Sequence, residues 1–151
     1  MKVMKTSKDI FTLPVSESEA VCITTNGIIK TNGRAVMGAG IARQANQKYH
    51  LDEELARHLQ IAGNTPHLFT QRGIRNCRLI SFPTKHDWRD SSNLNLIRTS
   101  AKHLVNIVNQ QNLTRCYLVP PGCGLGNLDW DVQVKPVLEP LFDDRFVIVL
   151  R

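Results

Sequence analysis

Short apolar runs and longer amphipathic stretches alternate along this chain, and the alternation predicts an α/β fold. Runs rich in β-branched and other apolar residues are typical of buried strands. They occupy residues 3–6, 20–25, 67–71, 77–82, 116–119 and 145–150. Between them, apolar positions recur at helical spacing and predict helices over residues 39–48, 51–62 and 92–109.

The third predicted helix has a distinctive start, and a further helical segment has a distinctive break. Ser92 is the predicted N-cap of the third helix, because a serine hydroxyl satisfies free amides at a helix start. Residues 130–142 are apolar at near-helical spacing, but Pro136 and Pro140 interrupt the hydrogen bonding of one continuous helix. This segment is expected to hold a short or kinked helix, with Asp129 capping its first turn.

This order of elements predicts a three-layer α/β/α sandwich with a mixed, largely parallel central sheet, built as a single domain over residues 1–151. Ligands of such sheets bind beyond the carboxyl ends of the strands. The loops that follow Thr25, Phe82 and Val119 are therefore expected to meet at one site.

Composition and charge narrow the class of protein without identifying it. The chain has no apolar run of the roughly 20 residues needed to cross a bilayer and no signal peptide, so a cytoplasmic protein without membrane contact is expected. Its four cysteines form no CxxC pair, which argues against zinc and disulfides and predicts reduced, mostly buried thiols. The net charge of +6 favours anionic partners such as nucleotides or nucleic acid, although a solvated basic surface explains it equally well.

Two glycine-rich loops follow predicted strands and supply the main chemical signal. In the first, Gly38, Ala39 and Gly40 stand where a loop becomes a helix, whose free amides favour a phosphate. The second, residues 120–126, holds three glycines at alternate positions. Neither has the Gly-Lys-Ser/Thr of a P-loop or the GxGxxG spacing of a Rossmann fold. Each loop alone also fits a tight turn, but the pair is suited to grip a diphosphate from two sides.

Four motifs, in order, resemble those of the macrodomain family, the ADP-ribose-binding fold. They are Lys8-Asp9-Ile10-Phe11, Thr24-Thr25-Asn26, Met37-Gly38-Ala39-Gly40-Ile41-Ala42 and Pro121-Gly122-Cys123-Gly124-Leu125-Gly126. The resemblance covers essentially the whole chain. It implies the macrodomain sandwich and a site for ADP-ribose, as ligand or product, with no metal and no other cofactor.

The resemblance assigns a role to each motif. Asp9 would accept a hydrogen bond from the adenine amine, with the Ile10 amide near the same ring, and Asn26 would hold hydroxyls of the distal ribose. The two glycine loops would hold the diphosphate through Met37, Gly38, Ala39, Gly40, Ile41 and Ala42, and through Pro121, Gly122, Cys123, Gly124, Leu125 and Gly126. Plainer roles also fit: a turn or helix cap for Asp9, and an Asn-Gly turn for Asn26. Lys30 and Arg34 either contact a substrate or face water.

The segment 81–89 narrows the resemblance. Its Phe-Pro-Thr-Lys and Trp-Arg, together with Gly-Cys-Gly-Leu-Gly and Leu-Asp-Trp, are similar to the DarG-type antitoxins, which are DNA ADP-ribosyl-glycohydrolases that remove ADP-ribose from thymidine. A lysine in this segment is catalytic there and in the related hydrolases that act on acidic side chains, so the resemblance assigns catalysis to Lys85. It would act as an amine nucleophile or as a charge that stabilises the leaving group. Gly126 stands where the acidic-side-chain hydrolases carry an aspartate, which weakens that alternative.

The neighbours of Lys85 suggest contacts beyond the ADP-ribose. Trp88 and Arg89 suit stacking on an unpaired base and contact with a phosphate, although a tryptophan folded onto the core fits the sequence as well. His86 and Asp87 are candidate acid/base groups, or ordinary loop residues.

The leading hypothesis is a metal-independent ADP-ribosyl-glycohydrolase that removes ADP-ribose from nucleic-acid bases, such as thymidine in single-stranded DNA. Two alternatives stay open: a module that binds ADP-ribose without chemistry, and a phosphatase acting on ADP-ribose 1''-phosphate. Lys85 distinguishes the glycohydrolase from the binding module, because a protein that only binds ADP-ribose has no need of a catalytic lysine.

Overall fold

A computed structural model describes residues 1–151, and one five-stranded sheet forms its centre. The strands are β1 (Lys2–Lys5), β2 (Glu19–Thr25), β3 (Arg78–Pro83), β4 (Arg115–Leu118) and β5 (Phe146–Leu150). They lie in the order β1-β5-β4-β2-β3, and every neighbouring pair is parallel. The helices are α1 (Gly40–Tyr49), α2 (Asp52–Ala62), α3 (Leu94–Gln110) and α4 (Lys135–Leu138), with short 3₁₀ turns at Ile10–Thr12 and Ile74–Asn76.

Two apolar cores cover the two faces of the sheet, which confirms the three-layer sandwich. Alternate side chains of a strand point to opposite faces, and β2 divides accordingly: Val21 and Ile23 belong to one core, and Ala20 and Cys22 to the other. The first core is completed by α1 and α2, the second by α3 and α4. Because helices cover both faces, the strand ends are where a ligand can approach the sheet.

The predicted strand at 67–71 is wrong, because this segment makes only one isolated antiparallel bridge, between Leu68 and Ile80. Side chains take two of the amides that a ladder would need. The His67 N–H donates to the Ser81 hydroxyl at 2.8 Å, and the Thr70 N–H donates to the Glu54 carboxylate at 2.9 Å. The five strands are therefore all parallel, and the mixed character of the sheet is confined to this bridge beside the edge strand β3.

The start of α3 differs from the prediction by one residue. Asn93, not Ser92, caps this helix: its side-chain oxygen accepts a hydrogen bond from the Leu96 N–H at 2.9 Å. Ser92 is buried, and its own N–H donates to the Gly126 carbonyl at 2.9 Å. The serine therefore supports the second glycine loop instead of the helix.

The segment 130–142 forms the predicted short, kinked helix. A wide turn over Trp130–Val134 leads into α4, and Pro136 stands in the first turn of α4, where its missing N–H leaves no hydrogen bond unmade. Asp129 caps the wide turn, as predicted, by accepting from the Val132 N–H at 2.7 Å.

Three of the four cysteines (Cys22, Cys77 and Cys116) are buried, which confirms the prediction of mostly buried thiols. Cys123, in the second glycine loop, is half-buried. Among the helices, none is both long and apolar enough to cross a membrane.

Candidate functional site

A cleft of about 980 Å³ opens at the carboxyl ends of the strands. The loops that follow β2, β3 and β4 meet there, as predicted, because these three strands are neighbours in the sheet. A cleft of this volume suits a cofactor-sized ligand. Its charged lining residues are four basic and two acidic ones, namely Lys8, Lys85, Arg89, Arg151, Asp9 and Asp90. The excess of positive charge favours an anionic ligand.

The first glycine loop brings the start of α1 to this cleft. All residues of the predicted set 37–42 line it. No side chain caps the first amides of α1, so they lack protein partners. Gly40 has a φ of 56°, a left-handed conformation that favours glycine, and a Cβ added at Gly38 would meet no atom within 4 Å. The loop therefore offers an open backbone and free helix amides to an anion.

The second glycine loop is packed so tightly that side chains are excluded at two positions. Gly122 has a φ of 75°, and a Cβ there would lie 2.9 Å from atoms of Ser92 and Ile97. A Cβ at Gly126 would lie 2.1 Å from the Ser92 hydroxyl oxygen and 2.5 Å from the Gly122 carbonyl oxygen. This loop therefore has no room for an aspartate at position 126. Gly124, by contrast, has open space around it.

Lys85 lies two residues beyond β3 and reaches the second glycine loop. Its ε-ammonium donates to the Leu125 carbonyl at 3.4 Å and to the Trp88 carbonyl at 3.5 Å. Both partners are neutral, and no carboxylate lies within salt-bridge distance of the ammonium. The cleft therefore contains a lysine whose charge is free to act on a ligand.

Asp9 and Ile10 also line the cleft, although they lie far from Lys85 in the sequence. One Asp9 carboxylate oxygen accepts from the Phe11 N–H at 3.0 Å, which makes Asp9 the cap of a 3₁₀ turn, and the other pairs with Lys48 at 3.1 Å. Partial burial acts to raise the pKa of Asp9, but the Phe11 hydrogen bond and the Lys48 charge outweigh it and lower the pKa. Asp9 is therefore ionised and acts as an acceptor near neutral pH.

Asn26 also lines the cleft, and its side-chain amide makes two hydrogen bonds to the backbone of the following segment. Its side-chain oxygen accepts from the Ile28 N–H at 3.0 Å, and its nitrogen donates to the Val36 carbonyl at 3.1 Å. These bonds brace the hairpin over 27–36, so the turn role and a ligand role coexist, with one N–H of the amide still free.

The basic residues of that hairpin do not line the cleft. Arg34 pairs with Glu53 on α2 at 3.0 Å, and Lys30 is exposed at the hairpin tip.

The segment after Lys85 presents an aromatic ring to solvent. Trp88 is 52% exposed, so the alternative of a tryptophan folded onto the core is wrong. The Arg89 guanidinium carbon lies 5.6 Å from the centre of the Trp88 ring, and the same guanidinium pairs with Asp87 at 2.6 Å. The hydrogen bonds from Arg89 lower the pKa of Asp87 to about 2. Neither His86 nor Asp87 lines the cleft, which leaves the acid/base hypothesis for them without geometric support.

Two of the predicted binding residues, Pro121 and Cys123, do not line the cleft. The Cys123 thiol lies 3.4 Å from the Pro121 carbonyl oxygen, and burial together with the charge of Asp129 raises the pKa of this thiol to about 11. Both residues therefore shape the loop, and Cys123 is not a thiolate nucleophile at neutral pH.

Three buried hydroxyl-bearing residues that were not predicted to bind a ligand also line the cleft: Thr25, Thr84 and Ser92. The hydroxyl oxygens of Thr25 and Ser92 have no hydrogen-bond partner in the protein. Thr25 ends a strand and Ser92 precedes a helix, and these positions were the available signal, but only packing tells which of many such residues are buried.

Solved structures share this architecture and its topology over nearly the whole chain. The macrodomain of Mycobacterium tuberculosis DarG superposes with a TM-score of 0.76 and 25% identity, covering 99% of this chain and 97% of that one. This chain has the macrodomain fold. The DarG macrodomain of Thermus aquaticus has a TM-score of 0.75 with 23% identity, over 99% of this macrodomain and 97% of that chain. Thermosipho africanus DarTG in complex with ADP-ribose has a TM-score of 0.76 with 19% identity, over 99% of this chain and 42% of that one.

The amino-acid sequence is also similar to those of DNA ADP-ribosyl glycohydrolases. The macrodomain is 29% identical over 128 residues to the DNA ADP-ribosyl glycohydrolases of Mycobacterium bovis and Mycobacterium tuberculosis. The matched region covers 81% of this chain but 35% of the length of those relatives. No family model matches the sequence.

Proposed function

We propose that this macrodomain binds ADP-ribose and hydrolyses its link to nucleic-acid bases, with thymidine in single-stranded DNA as the substrate and Lys85 as the catalytic residue. One observation carries the proposal: the unpaired ammonium of Lys85 lies at the junction of the β3 exit and the second glycine loop. The similarity to DNA ADP-ribosyl glycohydrolases supports the choice of linkage. The cytoplasmic location that such a substrate implies is part of the same proposal.

The binding mode we propose follows the charges and free amides of the cleft. The Asp9 carboxylate accepts from the adenine amine, with Ile10 beside the ring. The diphosphate lies between the uncapped start of α1 and the second glycine loop, where backbone N–H groups are the donors. This order places the distal ribose toward Lys85, and the free N–H of Asn26 toward its hydroxyls.

Two chemical roles fit Lys85. As a nucleophile, its neutral amine attacks C1'' of the ribose, the C1''–N bond to the base breaks, and the base leaves with a proton. The C1''–O4'' bond of the resulting glycosylamine then opens, a proton passes from the amine nitrogen to O4'', and an imine forms between C1'' and Nζ. Water hydrolyses this imine, which releases ADP-ribose and regenerates the amine. As a stabilising charge, the ammonium instead donates to the departing base while water attacks C1'' directly.

A substitution and a trapping experiment separate these two roles. Lys85→Arg keeps the charge but offers no amine nucleophile, so residual release by this variant favours stabilisation. Borohydride reduction during turnover converts an imine into a stable secondary amine, so ADP-ribose attached to the Lys85 peptide favours the nucleophilic path. Neither role needs a metal ion, and we expect release to proceed in the presence of EDTA.

The base and the neighbouring nucleotides have a place at the exposed part of the cleft that Trp88 and Arg89 line. Trp88 is half exposed beside Lys85, with the Arg89 guanidinium close to its ring. An exposed aromatic ring beside a cation suits stacking on an unpaired base together with contact to a phosphate. The net charge of +6 adds a general attraction for the DNA backbone.

The substrate class is tested by offering the protein three substrates in parallel: single-stranded DNA with ADP-ribosylated thymidine, a protein ADP-ribosylated on glutamate, and ADP-ribose 1''-phosphate. We expect free ADP-ribose from the DNA and little from the other two. Release from the protein or the phosphate alone would reassign the linkage. Tight binding of ADP-ribose with no release from any substrate would make the protein a binding module.

A further inference from the structure

Asn64 lies outside the cleft, in the loop that follows α2, yet it contacts Lys85. Its side-chain N–H donates to the Lys85 backbone carbonyl at 2.9 Å. Asn64 does not line the cleft, so a ligand there would not touch it. Any effect of Asn64 on chemistry must therefore pass through the position of Lys85.

The contact lies where the regular pairing of two strands ends. The last rung between β2 and β3 is the bond from the Thr84 N–H to the Thr25 carbonyl, at 3.0 Å. Beyond it, the Gly27 N–H donates to the His86 carbonyl at 3.1 Å. The Lys85 carbonyl falls between these two bonds, and a side chain, Asn64, supplies its donor. Asn64 thus extends the pairing across the residue whose side chain reaches the second glycine loop.

Tight packing fixes Asn64 against this junction. A Cβ added at Gly27 would lie 3.0 Å from the Asn64 amide carbon and nitrogen, and 3.0 Å from the His86 carbonyl oxygen. The next residue, Thr65, is held by the His58 ring, whose Nε2 lies 3.0 Å from the Thr65 carbonyl oxygen and 2.9 Å from its hydroxyl. The end of α2 therefore forms a fixed support for the amide.

The other end of the Asn64 amide is buried without a partner: its side-chain oxygen has no hydrogen bond in the protein. A buried acceptor left unpaired is unfavourable. A residue that only filled this space would be better as an apolar side chain. The hydrogen bond from the Asn64 side chain to the Lys85 carbonyl is the one interaction here that an apolar side chain could not replace.

We propose that Asn64 is a positioning residue, whose N–H fixes the Lys85 backbone and so holds the ε-ammonium at the Leu125 carbonyl. Its catalytic consequence rests on the proposed role of Lys85. Without the bond, the backbone of Lys85 is free to shift relative to the second glycine loop, and the amine is less often aligned with the ribose.

The test compares Asn64→Asp and Asn64→Ala with Asn95→Asp as a matched control. Asn64→Asp keeps the shape but replaces the donor with an acceptor, and Asn64→Ala removes the donor without adding charge. Asn95 is an exposed residue in the first turn of α3 and does not line the cleft. For both Asn64 variants we expect kcat to fall by about 10- to 100-fold, with affinity for ADP-ribose within about threefold of the parent. The control should match the parent.

A second readout is independent of turnover. Acetic anhydride acetylates neutral amines, and peptide mass spectrometry gives the labelling rate of Lys85 relative to the exposed Lys102 in the same molecule. We expect both Asn64 variants to change this ratio several-fold, because the Lys85 amine leaves its carbonyl partners. If the parent proves inactive, the proposed function fails, whereas a changed labelling ratio still supports the positioning role.

Three results would overturn the inference. One is an unchanged kcat together with an unchanged labelling ratio in both variants. Another is an effect confined to Asn64→Asp, which would point to the added charge and not to the lost donor. The third is a fall in kcat that comes with a weaker affinity for ADP-ribose and a lower melting temperature, since a general structural role would then explain all three changes.

Discussion

The ε-ammonium of Lys85 lies 3.4 Å from the carbonyl oxygen of Leu125. This contact joins the segment after β3 to the second glycine loop. The proposed catalytic amine is therefore hydrogen-bonded to the backbone of the loop that is proposed to hold the diphosphate. Leu125 is 69% exposed, and its side chain comes within 4.0 Å of where a Cβ on Gly40 would lie. The two glycine loops therefore almost meet over the cleft beside Lys85.

Gly126→Ala should destabilise the protein and abolish ADP-ribose binding. The added methyl group would lie 2.1 Å from the Ser92 hydroxyl and 2.5 Å from the Gly122 carbonyl. The carbonyl belongs to the backbone and has no easy way to move, so a cost of about 1–3 kcal/mol is expected. Denaturant unfolding measures the cost, and calorimetry measures the affinity.

Gly124→Ala is the matched control for this prediction, since the same loop leaves open space around Gly124 and its backbone is not left-handed. It should unfold at the same denaturant concentration as the parent within error. Equal stability of the two variants would contradict the packing described for Gly126.

The two glycine loops illustrate what the sequence alone can predict. Each loop follows a buried strand and carries its own local signal, so its place at the strand ends followed from pattern and topology. The contacts of Ser92 and Asn64 depend on which side chains meet across distant segments, and no local signal encodes them. The strand predicted at 67–71 failed for the same reason, because the Glu54 side chain takes an amide that the strand would need.

Gly38→Ala should weaken ADP-ribose binding without affecting stability. The position has ordinary backbone geometry, and a Cβ there would meet no protein atom within 4 Å. The methyl group would instead occupy space beside the diphosphate. We expect at least about tenfold weaker binding, or about 1.4 kcal/mol, by calorimetry, and an unchanged melting temperature. Unchanged affinity would place the diphosphate elsewhere in the cleft.

Trp88→Ala should impair the use of a DNA substrate while leaving the binding of free ADP-ribose intact. Loss of stacking on one base is worth about 1–3 kcal/mol, so KM for ADP-ribosylated single-stranded DNA should rise by roughly tenfold or more. Ile61→Ala serves as the control, because Ile61 is 87% exposed on α2 and does not line the cleft. If Trp88→Ala weakened free ADP-ribose as much as the DNA substrate, the stacking role would be wrong.

His58 should make the protein less stable in mild acid. Partial burial, and then the neighbouring His67 ring at 4.5 Å, lower the pKa of His58 below its ordinary 6.5. The unfolded chain therefore takes up this proton before the folded one does, so stability is full above pH 6.5 and falls as the pH drops toward the folded pKa. Glu54, whose pKa is lowered from 4.5, loses its contribution only at lower pH.

The measurement is the difference in melting temperature between about pH 7.5 and pH 5.5. His58→Gln should reduce this difference relative to the parent, although its melting temperature is lower throughout because the bonds to Thr65 are lost. An equal or larger pH dependence in His58→Gln would show that another group is responsible.

In the proposed mechanism, Lys85 performs the chemistry while the rest of the cleft binds ADP-ribose. In the decisive assay, single-stranded DNA carrying ADP-ribosylated thymidine is incubated with the parent, with Lys85→Ala and with Lys102→Ala. Lys102 is exposed on α3 and does not line the cleft. Freed ADP-ribose is quantified, and affinity for ADP-ribose is measured on the same samples. We predict that Lys85→Ala loses at least about 10²-fold in rate and keeps its affinity, while Lys102→Ala matches the parent. Release at the parental rate by Lys85→Ala would exclude Lys85 as the catalytic residue, and no release by the parent would exclude this substrate.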